Sequence, residues 1–136
     1  MSEPVGKQPA TSFTILLSDD DHGVRRSIQL MLRARGYTVR SYTSGRALLA
    51  DPRSLRADCL VVDYHMPDVD GLNLLKRLQA KGWDGSAILI SAYWNPTLEA
   101  RAREAGFGDV IAKPAIARAL LEAVAGYSRK AGKRCA

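Results

Sequence analysis

The stretch Ile15-Leu16-Leu17-Ser18-Asp19-Asp20-Asp21 passes from an apolar, β-prone run to three consecutive carboxylates with one serine between them. With Phe13 ahead of it, the run is apolar without alternation, which fits a strand buried on both faces. The period then changes. Val24, Ile28, Met31 and Leu32 recur at helical spacing until Gly36 supplies a stop. Working outward, the same alternation returns along the chain. Tyr37–Tyr42 alternates as a short strand, and Ser44 can cap a helix through Ala50 that Asp51-Pro52 closes. Ala57–Val62 is a second continuous apolar run, broken by the polar segment Asp63–Asp70. Gly71–Ala80 is helical, with Leu72, Leu75 and Leu78 on one side and Gly82 as its stop. Ala87–Ala92 is another buried-type strand, and Asn95-Pro96 reads as cap and first residue of a helix running to Gly106. Asp109–Ala112 is a last strand, and Lys113-Pro114 precedes a helix with Ile116, Leu120, Leu121 and Val124 inward.

Five β-α units follow from this pattern. Strands apolar throughout and helices of about ten residues between them imply parallel pairing with right-handed crossovers. The predicted fold is a doubly wound α/β sandwich, a flavodoxin-like (βα)5 unit with strand order 2-1-3-4-5. The predicted domain is 13–126, with a flexible N-terminal tail over 1–12 and a basic C-terminal tail over 127–136.

Composition narrows the classes. The chain has 136 residues, room for one compact domain, and its 46% hydrophobic and 25% charged residues are ordinary for a globular protein. No apolar run approaches the roughly 18 residues a membrane span needs, and residues 1–12 carry no hydrophobic stretch of a secretory signal. The expectation is a soluble cytoplasmic protein. Formal charge is +6, and Arg129, Lys130, Lys133 and Arg134 supply most of it near the C-terminus. No base-reading motif accompanies them, so the basic tail reads as a solvated appendage. Cys59 sits in an apolar run as a small hydrophobe, and Cys135 is penultimate, able to link two chains but ill placed for a structural disulfide.

In an open parallel sheet, ligands bind beyond the carboxyl ends of the strands. Strand one ends in Asp19, Asp20 and Asp21, strand three in Asp63, strand four in Ser91 and strand five in Lys113. Gathered carboxylates repel one another unless a cation sits among them. Oxygen ligands of this kind suit Mg²⁺, which commonly bridges protein carboxylates to a phosphate; Mn²⁺ can take the same ligands. A lysine and a serine opposite the metal would contact the remaining phosphoryl oxygens, and phosphoryl transfer needs mainly positioning and charge neutralisation. A carboxylate nucleophile forming an aspartyl-phosphate is an established covalent strategy. Asp63, central in the sheet, is the favoured nucleophile.

The runs Ile15–Asp21, Leu60–Gly71, Ile88–Ala92 and Lys113-Pro114 together resemble response-regulator receiver domains of two-component signalling, in order and with family-like spacing. The resemblance implies that Asp63 is phosphorylated and that Asp20, Asp63 and the backbone carbonyl of His65 hold Mg²⁺, assisted by Asp19. It implies that Ser91 hydrogen-bonds the phosphoryl group, that Lys113 pairs with it, and that the Lys113–Pro114 bond is cis. The implied partners are a sensor histidine kinase or a histidine phosphotransfer protein, with a downstream protein unspecified. Nine residues after Tyr127 are too few for a DNA-binding output domain. The expectation is therefore a stand-alone phospho-acceptor, not an enzyme on other substrates, that acts through protein contacts, a second copy of the chain included, or through onward phosphotransfer.

Simpler readings stand beside these. Asp19–Asp21 alone could be a helix-capping cluster, Asp70 a cap and Asp68 a solvated carboxylate. His22 reads as a structural or surface residue. His65 is either an exposed loop residue or, in the receiver pattern, a neighbour of the phosphoryl site that helps set its lifetime. Tyr93 and Trp94 form either a partner surface or a lid. Receivers usually carry an aromatic residue three positions before the lysine, where this chain has Val110, and often another after the Lys-Pro pair, where it has Ala115. The switch cannot then be read by the usual aromatic rotation, which keeps open a phosphorylation-independent interaction module on the same fold. A flavin-binding flavodoxin is disfavoured because the first loop is acidic where a phosphate cradle offers Gly, Ser or Thr donors. A haloacid-dehalogenase-type phosphatase is disfavoured because its nucleophile ends the first strand in an Asp-x-Asp pattern.

Overall fold

The computed structural model describes residues 12–114 and 116–132. Five strands form one parallel sheet: β1 Thr14–Ser18, β2 Thr38–Tyr42, β3 Cys59–Asp63, β4 Ser86–Ser91 and β5 Asp109–Ala112. Their order is β2-β1-β3-β4-β5, as the alternation of periods predicts. Five helices intervene: α1 His22–Ala34, α2 Gly45–Ala50, α3 Gly71–Ala80, α4 Pro96–Ala105 and α5 Ala117–Lys130. The order β2-β1-β3 reverses direction at β1, and the crevice at that switch point is where this fold binds ligands.

Side chains alternate across the pleat, so one apolar strand feeds two cores. Leu16, Leu60, Val62 and Leu89 meet Leu48 of α2, Leu74, Leu75 and Leu78 of α3, and Leu98 and Ala102 of α4. Ile15, Leu17, Val61, Ile88 and Ile90 meet Ile28 and Leu32 of α1 and Leu120 and Val124 of α5. β3 is buried at every position because it lies in the middle of the sheet. That places Asp63, its last residue, in the centre of the strand-end rim.

Capping fixes where the helices begin. Asp21, Ser44, Asp70 and Asn95 each accept a hydrogen bond from the amide three residues on, satisfying a donor the helix leaves orphaned. At the far end of α4, Gly106 takes φ 117°, a left-handed cap that a side chain would resist. Gly71 answers a different need. A Cβ there would lie 2.8 Å from Leu89 Cδ1 and 3.0 Å from the carbonyl of Asp63, so the start of α3 can close against the end of β3 only without one.

Two boundaries differ from expectation. α5 runs through Lys130, so Tyr127–Lys130 belong to the folded body; Tyr127 packs against the core and Ser128 is buried. Polar composition near a terminus concealed a helix whose inner face is still satisfied. At the other end Ser12 is buried, with its hydroxyl 3.1 Å from that of Thr38. A 3-10 turn, Pro52–Arg56, also follows α2 directly where a simple break is expected, the Arg53 amide donating to the Asp51 carboxylate. The segment 1–11, Ala115 and the basic residues Lys133 and Arg134, with Cys135, lie outside the described residues. Among the described residues no helix is long and apolar enough to cross a membrane.

Candidate functional site

β1, β3 and β5 converge their last side chains on one point. Lys113, just past β5, donates from Nζ to Asp63 Oδ2 at 2.8 Å and stands 3.1 Å from Asp19 Oδ2. Asp20 completes the group: one carboxylate oxygen from each of Asp19, Asp20 and Asp63 falls within 4.8 Å of the others. Asp19 and Asp63 are buried and Asp20 is exposed, so the cluster opens to solvent on the Asp20 side. Asp21, third in the acidic run, faces away as the cap of α1, accepting from the Val24 amide. The capping reading thus holds for that residue alone.

The electrostatics follow from burial. Asp19 is held above the usual carboxylate range, first by burial and then by the charge of Asp63; the Asp21 amide and Lys113 pull the other way without cancelling it. Burial draws the Lys113 ammonium down, but its bonds to Asp63 and Asp19 outweigh that and leave it raised. The result is an ammonium held in its charged form between two carboxylates. One ammonium cannot saturate three carboxylates. The buried Asp19 Oδ2 has an ion-pair neighbour in Lys113 but no aligned hydrogen bond. A hard divalent cation fits that donor set, since Mg²⁺ takes oxygen ligands from one or two carboxylates and keeps several waters.

Other elements hold the carboxylates in place. The His65 amide donates to Asp63 Oδ1 at 3.2 Å, so both oxygens of Asp63 are engaged. Arg25, buried on α1, donates from Nη1 to the main-chain carbonyl of Asp19 at 2.7 Å, and its Nη2 lies 2.7 Å from Nδ1 of the exposed His22. This arginine went unnoticed in the sequence, although Arg25, Ile28 and Leu32 share the buried face of α1. A cation at helical spacing with two core residues is the signal that points to it.

Ser91 ends β4 one residue past Ile90, the register partner of Asp63. It is fully buried and its Oγ accepts from the Tyr93 amide at 3.0 Å. Tyr93 and Trp94 then diverge. Tyr93, 71% exposed, meets the His65 ring edge-on at 5.4 Å, and His65 meets Tyr64 at 4.8 Å. The three rings form an edge-to-face row on the rim next to Asp63. Trp94 turns outward onto α4, donating from Nε1 to Glu99 at 2.7 Å. Glu99 in turn accepts from Arg103, which also reaches the Gly108 carbonyl. Val110 is half-buried against the α2–α4 core. Asp68, expected to be merely solvated, accepts from the Arg46 amide at 2.8 Å and the Gly45 amide at 3.4 Å at the start of α2. Desolvation raises this exposed carboxyl, but those bonds and the Val69 amide outweigh it and hold it below the usual range. The Lys113–Pro114 bond is cis.

Comparison with known proteins agrees with this geometry. The response regulator receiver domain family matches residues 15–125. The transcriptional regulatory protein FixJ of Azorhizobium caulinodans is 34% identical over 113 residues, 83% of this chain and 54% of that protein. FixJ of Rhizobium meliloti is 32% identical over 114 residues, 84% of this chain and 56% of that protein. The chain therefore spans about half the length of these curated relatives. The crystal structure of FixJ-N matches at TM-score 0.78 and 31% identity, over 87% of this chain and 94% of that one. The receiver domain of the Francisella response regulator 1452 matches at TM-score 0.81 over 88% and 98%, but at 24% identity it speaks for the fold alone. A half-buried Lys113 joining two strand-end carboxylates, on a sheet of order β2-β1-β3-β4-β5 that the family matches almost end to end, identifies the chain as a member of the response regulator receiver domain family.

Proposed function

We propose that this receiver takes a phosphoryl group onto Asp63 from a phosphohistidine donor, in a reaction that requires Mg²⁺ or Mn²⁺, and signals through protein contacts or onward transfer. The observation that carries the reading is the Lys113 ammonium bridging Asp63 and Asp19 beside the solvent-open Asp20. A carboxylate oxygen of Asp63 forms the new bond to phosphorus while the N–P bond of the donor breaks. The bonding pair stays on the imidazole nitrogen, which takes a proton from solvent. Lys113, kept protonated by its two carboxylates, offers positive charge to the phosphoryl oxygens. Ser91 accepts from the Tyr93 amide, which leaves its own hydroxyl proton to donate to the transferred group. Asp19, Asp20 and Asp63, with the His65 carbonyl, are the residues that would hold the metal. When bound it supplies charge neutralisation at the phosphoryl oxygens.

Intact mass after treatment with acetyl phosphate and Mg²⁺ tests the reading. The expected outcome is a gain of one phosphoryl group, absent in Asp63→Asn and absent when EDTA replaces the metal. Failure to acquire phosphate from acetyl phosphate and from a phosphorylated kinase alike overturns it. Transfer assays with a phosphorylated kinase then separate a relay, which passes phosphate on, from an effector that holds it. Val110 favours a second reading, an interaction module indifferent to phosphate, because valine has no aromatic ring to swing between buried and exposed positions. Unchanged partner binding in Asp63→Asn would select it.

A further inference from the structure

α2 and α3 face each other across a shallow groove of about 530 Å³, which none of the acidic-rim residues lines. Its lining is two matched triples: Arg46, Leu49 and Ala50 from α2, and Arg77, Ala80 and Lys81 from α3. Each triple has the i, i+3, i+4 spacing of a single helix face. The floor is apolar and small, from Leu49, Ala50 and Ala80. The rim is cationic, and no carboxylate lines it. Lys81 closes one end by donating to the Leu49 carbonyl at 3.0 Å. Arg46 and Arg77 are exposed and make no side-chain ion pair among the described residues.

We propose that this groove docks an acidic amphipathic helix from another protein. Two alanines let a helix approach closely, Leu49 offers apolar area, and two guanidinium groups on opposite walls match carboxylates flanking an apolar stripe. The sequence outside the described residues lacks that composition: 1–11 holds one acid, Glu3, with two prolines, and 133–136 is basic. Nucleic acid suits the lining less well, because there is no aromatic platform and an apolar floor contributes nothing to a phosphate backbone. A membrane suits it less well too, since Leu49 lies half-buried in a concavity and does not protrude. The groove is also joined to the phosphoacceptor loop. Asp68 holds the first amides of α2, and Gly71 at the start of α3 donates to the Tyr64 carbonyl next to Asp63. Docking here goes beyond the phosphotransfer reading and does not depend on it, because no residue of the acidic site lines the groove.

The test uses unphosphorylated full chain and a fluorescein-labelled synthetic helix of about 18 residues, long enough to be helical, with Leu along one face and Glu on its flanks. Saturable binding is expected, weakened by added salt, with amide shift changes concentrated in 45–50 and 77–81. Arg46→Glu combined with Arg77→Glu should lower affinity by about tenfold or more while the circular dichroism spectrum is kept, since both side chains are exposed. The same variant should accept phosphate from acetyl phosphate as the parent does, so the two proposals fail separately. No binding, binding that the double variant leaves unchanged, or preference for a Lys-flanked peptide overturns the proposal. So does binding of single-stranded DNA or phosphatidylserine vesicles in preference to the acidic peptide.

Discussion

Asp19 is a residue whose placement costs the fold something. Burial and the charge of Asp63 raise its carboxyl in the folded state above the value of about 3.8 it has when exposed. The folded chain then holds a proton more tightly than the unfolded chain, so stability falls as pH rises from about 3.8 through the raised folded value. Above that window the cost is fully present. Asp19→Asn keeps the shape and removes the charge. In EDTA at neutral pH it should melt a few degrees higher than the parent, and the gap should close as pH falls below the window. Mg²⁺ should raise the parent and not the variant, because ligand binding to the folded state is itself stabilising. Equal melting of the two proteins across pH would show that Lys113 alone already neutralises the site. That Asp19, Asp20, Asp63, Ser91 and Lys113 stand along one rim was legible in the sequence, because a parallel sheet brings the carboxyl ends of its strands to the same edge. Arg25 was not, since a cation in the middle of a helix gives no hint of which backbone carbonyl it will meet.

Among the elements, what was legible is what local chemistry decides. α1, α2, α3 and α4 start where Asp21, Ser44, Asp70 and Asn95 place an acceptor, and each cap is satisfied within its own helix. α5 has no side-chain cap, so its start is set by packing, while Gly132, at φ 72° just past the C-cap Ala131, stops it. The role of Asp68 was hidden for a related reason. Its partners, the amides of Gly45 and Arg46, lie more than twenty residues upstream, and only the fold brings the β3–α3 loop over the start of α2. α2 is six residues long, too short to persist without such support. Asp68→Ala should therefore cost about 1 kcal/mol, the worth of an N-terminal cap, read as a lower urea midpoint at unchanged slope. Asp68→Asn, which keeps the acceptor oxygen, should recover most of it. An alanine variant as stable as the parent would mean that Ser44 alone secures the helix.

For the molecule as a whole, the question is where the domain closes. Asp109 opens the four-residue β5 and Lys113 follows its end, so the strand that carries the lysine to the acidic rim is anchored at its other end. The anchor is Tyr127, whose hydroxyl donates to Asp109. Burial, then that bond, push the Tyr127 hydroxyl well above its usual range. The approach is tight: a Cβ on Gly108 would fall 2.0 Å from the Tyr127 oxygen, so a side chain at 108 would displace the ring. A chain ending after Gly126 loses that ring, its hydrogen bond and the buried Ser128 behind it. Removal of a large packed aromatic costs about 3 kcal/mol, enough to lower Tm by roughly 10 °C in a domain of this size. A chain ending after Lys130 keeps every one of these contacts and should melt with the full chain. Tyr127→Phe separates the two causes, because it keeps the packing and gives up only the bond to Asp109, a loss of about 1 kcal/mol. If the chain ending after Gly126 melts with the full chain, Tyr127 does not anchor β5 and Lys113 is placed by the sheet alone.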